Sequence, residues 1–198
     1  MELDEPTLRT LTECADRAAI EKVLGLYCRA IDRLDVELLR SIYHADATDD
    51  HGAMHLPAHE FAPRIVEMLS RVCTYSMHTV THAVVDLHGK QATSEAYYLG
   101  FHTIDGNETA VGEFFGAAYL EAQRAAGLAN QPHEYVCGGR YLDLFEKRDG
   151  EWRILRRKIT NEFSVCRPQS AVQEGMPASF YTPGTRDRND PVYGLMTR

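Results

Sequence analysis

The feature that most constrains this chain is a hairpin in its C-terminal third. Tyr135 to Glu146 and Trp152 to Phe163 read as long strands joined through Arg148-Asp149-Gly150, where Asp-Gly supplies the positive-φ backbone of a tight turn. A second hairpin precedes it. Thr74 to Leu87 is rich in β-branched and aromatic residues, ends at His88-Gly89, and is followed by a strand from about Gln91 to His102. At least four long antiparallel strands are expected.

Helical spacing dominates before these strands. Ile20, Val23, Leu24, Tyr27, Ile31 and Leu34 fall on one face between Ala18 and Leu34, as in an amphipathic helix. Asp35 suits the cap of a shorter helix carrying Leu38, Leu39, Ile42 and Tyr43, and Pro63 suits the first turn of a third helix through Val72. Between the hairpins, Glu108 to Ala126 is helical again, with Gly127 as its stop, and is a candidate lid or subunit contact. Helices first and strands afterwards predict an α+β domain, a cone-shaped curved antiparallel sheet packed on the N-terminal helices. One domain is expected over 1–167, with an inserted helix at about 108–126. The stretch 168–198 holds four of the eight prolines and reads as an extended tail.

Charge narrows the partners. With 21 Lys+Arg against 29 Asp+Glu, a net charge of -8 and no basic run, neither nucleic acid nor an anionic membrane is an expected partner. A small molecule is. No apolar stretch reaches the roughly 18 residues of a spanning helix, and the N-terminus lacks a basic-then-apolar signal pattern, so a cytoplasmic location is expected. Cys14, Cys28, Cys73, Cys137 and Cys166 are odd in number and widely spaced, which fits reduced thiols acting as small core residues.

Strict alternation along the first long strand places Ser76, His78, Val80, His82 and Val84 on one face. A histidine among apolar neighbours can shuttle a proton if a second group sets its tautomer; its bland alternative is a core histidine bonded to a backbone carbonyl. Asp32 sits at the margin of the first helix's apolar stripe, and taken alone it reads as a surface partner of Arg29. In the last strand, Arg153, Leu155, Arg157, Ile159, Asn161 and Phe163 share a face, so Arg157 needs either a carboxylate or a polar substrate group. His44, His51, His55 and His59 lie close to Asp46, Asp49 and Asp50, but Pro57 interrupts the i, i+4 spacing and there is no HExxH. No metal is expected, and Tyr43 to His59 reads as a polar loop at the mouth of the cone. Neither GxGxxG, nor a P-loop, nor GxSxG occurs, which disfavours dinucleotide, nucleotide and serine-hydrolase chemistry.

Three stretches carry a family resemblance: Tyr27-Cys28-Arg29-Ala30-Ile31-Asp32, Ser76-Met77-His78, and Gly138-Gly139-Arg140-Tyr141 leading through Asp149-Gly150-Glu151-Trp152 to Arg157. Over about Ala18 to Phe163 the chain resembles the SnoaL-like group of the nuclear-transport-factor-2-like superfamily, cone-shaped α+β barrels that include scytalone dehydratase, hexachlorocyclohexane dehydrochlorinase and bile-acid 7α-dehydratase. The resemblance implies a catalytic trio: His78 as general base, Asp32 as the group that orients and charges it, and Tyr27 as a phenolic donor. It makes Arg157 a pocket residue, and His82, His51, Asp49 and Asn161 complete the expected substrate-binding set. His82 departs from the Asn of many relatives, and the 108–126 helix looks like an insertion.

The expected function is therefore a cofactor-independent lyase acting on a hydrophobic hydroxylated aromatic or steroid-like molecule. It would be a dehydratase or an enzyme eliminating a small fragment, including formaldehyde from a lignin-derived diol held by Asp49, Asp50 and His51. A ketosteroid-isomerase-like enzyme and a non-catalytic binding or dimerisation module are the alternatives, since shared architecture does not fix a reaction. A homodimer through the sheets is expected.

Overall fold

A computed structural model describes residues 3–170, 174–179 and 182–195. The chain opens with α1 (Glu5–Asp32), α2 (Val36–Ser41), β1 (Tyr43–His51), β2 (Met54–Pro57) and α3 (Ala58–Val72). The long strands β3 (Cys73–His88) and β4 (Gln91–Ile104) follow, then α4 (Glu108–Phe115), α5 (Ala117–Ala125), β5 (His133–Arg148) and β6 (Glu151–Pro168). Two short helices in the tail, α6 (Gly175–Ser179) and α7 (Pro191–Leu195), complete it.

The α+β architecture is as expected: one curved, unclosed six-stranded sheet in the order β2-β1-β6-β5-β4-β3, with helices against its inner face. Both hairpins form, turning at Gly89-Lys90 and at Asp149-Gly150, where φ is 52° and 85°. Ile20, Leu24 and Ile31 of α1, Phe61 and Leu69 of α3, and Tyr43, Phe145 and Ile154 of the sheet close the core between the layers.

Several boundaries differ from expectation, each for a local reason. Helix α1 begins well before Ala18 because Asp4 caps it, accepting from the Thr7 N–H at 2.9 Å. Its first turns project from the core, with Leu8 and Leu11 exposed, so apolar periodicity could not reveal them. Helix α3 begins at Ala58, which puts Pro63 inside it rather than in its first turn. Pro63 cannot donate to the His59 carbonyl, and Arg40 Nε donates there instead at 3.3 Å. The helix expected over 108–126 is broken at Gly116, whose φ of 89° separates α4 from α5.

The largest correction concerns Tyr43 to His59, which is not a loop. Tyr43–His51 pairs in parallel with β6 and antiparallel with β2, and α3 has begun by His59. The sequence YHADATDDH has little strand propensity of its own; the neighbouring β6 supplies the ladder.

The tail is not extended throughout where it is described. Arg33 Nη1 donates to the Thr185 carbonyl at 2.6 Å and meets Asp190 at 3.3 Å. Asp35 accepts from Arg188 at 3.0 Å and from the Tyr193 hydroxyl at 2.8 Å. The tail thus docks on the α1–α2 junction. Residues 171–173, 180–181 and 196–198 of the expected tail lie outside the described residues.

Candidate active site

The last turn of α1 carries Tyr27, Ile31 and Asp32 on the side that faces the sheet, and all three are buried. Beyond Asp32 the chain turns sharply through Leu34, at a φ of 54°, and Asp35 caps α2 by accepting from the Leu38 N–H. Asp32 is therefore held at a fixed helix end rather than on a surface beside Arg29. Its Oδ1 lies 2.7 Å from His78 Nδ1, and its Oδ2 accepts the backbone N–H of His78 at 2.8 Å. A carboxylate oxygen only accepts, so the ring proton sits on Nδ1 and Nε2 is the nitrogen left for chemistry. Both side chains are nearly enclosed, 10% exposed for His78 and 7% for Asp32.

His78 opens onto a cavity of about 470 Å³ between the sheet and the helices, within the range of small-molecule sites. Four tyrosines (27, 98, 135 and 141), three histidines (51, 78 and 102) and Asn161 are its polar groups. Ile31, Met54, Ile65, Met68, Leu69, Phe114 and Ile159 supply the apolar wall, and among the described residues no Lys, Arg, Asp or Glu lines it. Tyr27 is fully enclosed, and burial pushes its phenol far above the usual range although the Arg157 charge opposes this. It stays neutral and keeps its hydroxyl proton.

Three of the expected pocket residues do not line the cavity, Asp49 among them. Arg157 is buried, but its Nε and Nη2 form a bidentate pair with Asp143 at 2.8 and 2.6 Å, and it does not line the cavity. Of the two partners expected for it, a carboxylate is the one present. The guanidinium lies between the rings of Tyr27 and Tyr141, 4.0 and 4.4 Å from their centroids. Burial alone would favour loss of its proton, but the charge and hydrogen bonds of Asp143 together with Tyr43 and Tyr27 outweigh that, and Arg157 stays cationic.

His82 is exposed and absent from this cavity. A β-bulge between Val80 and His82 breaks the alternation; beyond it Val85 points inward and Val84 is exposed. Bulges also interrupt β6 near Leu155 and Glu162. The second keeps Asn161 at the cavity but turns Phe163 outward, over Gly138, where a Cβ would lie 2.4 Å from its ring.

The remaining expected residues form a relay. Asp49, with no exposed surface, accepts the Tyr43 hydroxyl at 2.6 Å and pairs with His51 Nδ1 at 3.0 Å. His51 stacks on Phe61 and reaches the cavity, while Asp49 stands behind it. His44 instead bonds the Glu146 carbonyl, and His55 pairs loosely with Asp50. Among the described residues, no group of three or more His, Cys, Asp or Glu side chains is arranged to hold a metal.

The sequence reading missed His102. Its ring meets His78 edge-on at 4.9 Å, its Nδ1 is buried without a partner, and burial first, then His78, pull its pKa down to about 3. Gly100 was the available signal: it faces His78 across the ladder, and a Cβ there would come within 3.2 Å of both imidazoles. From the insertion, Phe114 packs on Tyr135 and completes one cavity wall. Of the five cysteines, Cys14 and Cys166 are exposed rather than in the core, and burial pushes the Cys28 thiol up to about 12.

Comparison with known proteins follows this geometry. A family model described as a SnoaL-like domain matches residues 12–158. No curated protein matches the sequence. Among solved structures, a type 2 hexachlorocyclohexane dehydrochlorinase superposes with a TM-score of 0.63 at 16% identity, covering 85% of this chain and 98% of that one. The type 3 dehydrochlorinase of Novosphingobium barchaimii gives 0.62 at 16%, over 82% and 96%. A nuclear transport factor 2-like superfamily protein of Salmonella enterica serovar Typhimurium gives 0.54 at 14%, over 79% and 94%. At such identities the likeness concerns the fold. No described helix is long and apolar enough to cross a membrane.

Proposed function

We propose that this chain, which belongs to the SnoaL-like domain family, is a cofactor-independent lyase acting on a neutral, hydrophobic, hydroxylated molecule of aromatic or steroid-like shape. One observation carries the reading: the 2.7 Å Asp32–His78 pair opens onto a cavity lined by rings and aliphatic groups and, among the described residues, by no Lys, Arg, Asp or Glu.

In this reading His78 Nε2 removes a proton from the substrate, and Asp32 stabilises the imidazolium that forms. Tyr27 donates a hydrogen bond to the substrate oxygen, and water or another small fragment departs. Loss of formaldehyde from a diol would begin at a hydroxyl proton instead, taken by the same nitrogen. Hexachlorocyclohexane dehydrochlorinases, lyases by their name, share the fold, which supports the reaction class but not the substrate.

The test is turnover of a panel of β-hydroxy ketones and aryl diols. His78→Ala should lower turnover by about 10² to 10⁴ while leaving the circular dichroism spectrum intact. Unchanged turnover would rule the lyase out, whereas deuterium returned from solvent to another substrate carbon, without loss of a fragment, would identify an isomerase.

A homodimer belongs to the same proposal. Met77, Phe101, Val136 and Val165 lie in register across β3, β4, β5 and β6. Met77 and Val165, with Tyr75, Tyr97 and Phe163, are exposed, an apolar patch that association would cover. A monomer by light scattering at micromolar concentration would remove this part.

A further inference from the structure

The cavity contains a second carboxylate–imidazole pair built like the first. His78 gives Nδ1 to Asp32, whose other oxygen takes a neutral donor, the backbone N–H of His78. His51 gives Nδ1 to Asp49, whose other oxygen takes a neutral donor, the Tyr43 hydroxyl. Both histidines line the same cavity, and Nε2 of each has no hydrogen-bond partner among the described residues. They arrive from opposite sides: in the sheet order, β1 and β3 are separated by β6, β5 and β4, and the curvature brings both onto one enclosed space.

From this geometry we propose that His51 is a second catalytic histidine of the lyase, the general acid that protonates the departing group, with Asp49 as its positioning carboxylate. The inference rests on the lyase reading and adds the residue that completes it. An elimination needs a base at one carbon and a proton donor at the leaving oxygen. Tyr27 is poorly suited to the second task, because burial makes its phenol a weaker acid than in water, so it polarises rather than transfers.

Among the described ion pairs, the partner of Asp49 is His51. Arg157 is already matched by the bidentate Asp143, and Asp49 has no Lys or Arg of its own among the described ion pairs.

His78 Nε2 takes the proton of a carbon–hydrogen bond, that electron pair becomes the new double bond, and the carbon–oxygen bond breaks with its pair on oxygen. The oxygen takes the Nε2 proton of His51 and leaves as water. His78 is then protonated and His51 is neutral, and one proton passes back through the released water to restore the starting state.

The test uses a matched pair of probes, 4-hydroxy-4-phenylbutan-2-one and its 4-(4-nitrophenoxy) analogue. Nitrophenolate departs as a stable anion and needs no proton. In His51→Gln, kcat/KM should fall by about 10² or more on the hydroxy ketone and by at least tenfold less on the nitrophenoxy ketone. His78→Ala should lose both alike. His51→Asn repeats the measurement if the Gln variant does not fold.

Equal loss on both probes in the His51 variants, or loss on neither, overturns the role of His51 and leaves that of His78 standing. A His78→Ala protein that still releases nitrophenolate at the wild-type rate overturns the lyase reading itself. Nitrogen NMR of the histidine rings supplies a readout that needs no turnover. The neutral form of His51 should carry its proton on Nδ1 in the wild type and lose that preference in Asp49→Asn, and an Nε2–H form in the wild type overturns the inference whatever the probes do.

Discussion

Two buried side-chain pairs of this molecule, both centred on an aspartate, differ in how they end. Asp143 and Arg157 are sealed, with neither side chain exposed, two parallel hydrogen bonds between them and a tyrosine ring on each side of the guanidinium. Asp32 and His78 are almost as deeply placed, yet the second nitrogen of the ring looks into a cavity. Nearly the same burial yields a structural clamp in one case and a reactive group in the other. What separates them is whether every polar atom of the aspartate's partner is enclosed by protein.

The sealed pair should give the largest effect. Removing its carboxylate in Asp143→Ala leaves a guanidinium buried without a partner, a loss of about 3–5 kcal/mol, read by urea unfolding. That is a large share of a typical domain's stability of about 5–15 kcal/mol. Replacing the pair by Asp143→Leu with Arg157→Met should restore most of it, since apolar isosteres often match or exceed a buried ion pair. If the double variant is as unstable as the single one, the rings of Tyr27 and Tyr141 depend on the guanidinium itself.

The open pair should behave in the reverse way. Asp32→Asn keeps the shape but lets the amide offer a proton to His78, which disturbs the ring's tautomer. Turnover should fall by about 10² to 10⁴, with unfolding shifted by only about 1–2 kcal/mol. A large stability loss with little change in turnover would make this pair a second clamp and erase the contrast.

Why the two pairs were unequally legible in the sequence follows from the same geometry. Asp32 and His78 lie on long, regular elements, and the order of helices and hairpins was readable from turn chemistry and period. Arg157 reads as needing either a carboxylate or a polar substrate group, and because Asp143 sits on the adjacent strand, only the register of β5 on β6 decides between them. His82 and Phe163 were misplaced because a bulge inserts one residue and reverses the faces beyond it, and nothing in the local composition marks its position. His51 and Asp49 lay in a stretch too polar to read as strand, which forms because β6 offers it hydrogen bonds.

His102 gives a smaller, pH-dependent expectation on the open side. Its pKa falls from 6.5 to about 3 on folding because burial, and then His78, oppose its charge. Between those values the unfolded chain binds more protons than the folded one, so stability contributed here is present at neutral pH and lost as pH falls. The slope approaches about 1.4 kcal/mol per pH unit within that window. His102→Leu should remove it, so near pH 4.5 the wild type should have lost about 2–3 kcal/mol more than the variant, relative to pH 7. Parallel stability profiles for the two proteins would show that His102 is solvated in solution.

The smallest effect belongs to a third carboxylate, Asp35, which stands three residues from Asp32 but faces the tail. It accepts from Leu38 N–H, Arg188 and Tyr193, so it is neither sealed like Asp143 nor open to the cavity like Asp32. Tyr193→Phe removes one of three donors and strands no buried charge, and the loss should be about 1 kcal/mol, read as a small fall in Tm together with faster proteolysis after Ser179. Because the hydrogen bonds of Asp32 come from His78 and none comes from the described part of the tail, turnover should change less than twofold. A fall in kcat comparable to that of Asp32→Asn would mean that the docked tail fixes the end of α1. The boundary between clamp and reactive pair would then run through the backbone of Arg33 and Leu34 instead of between two separate side-chain clusters.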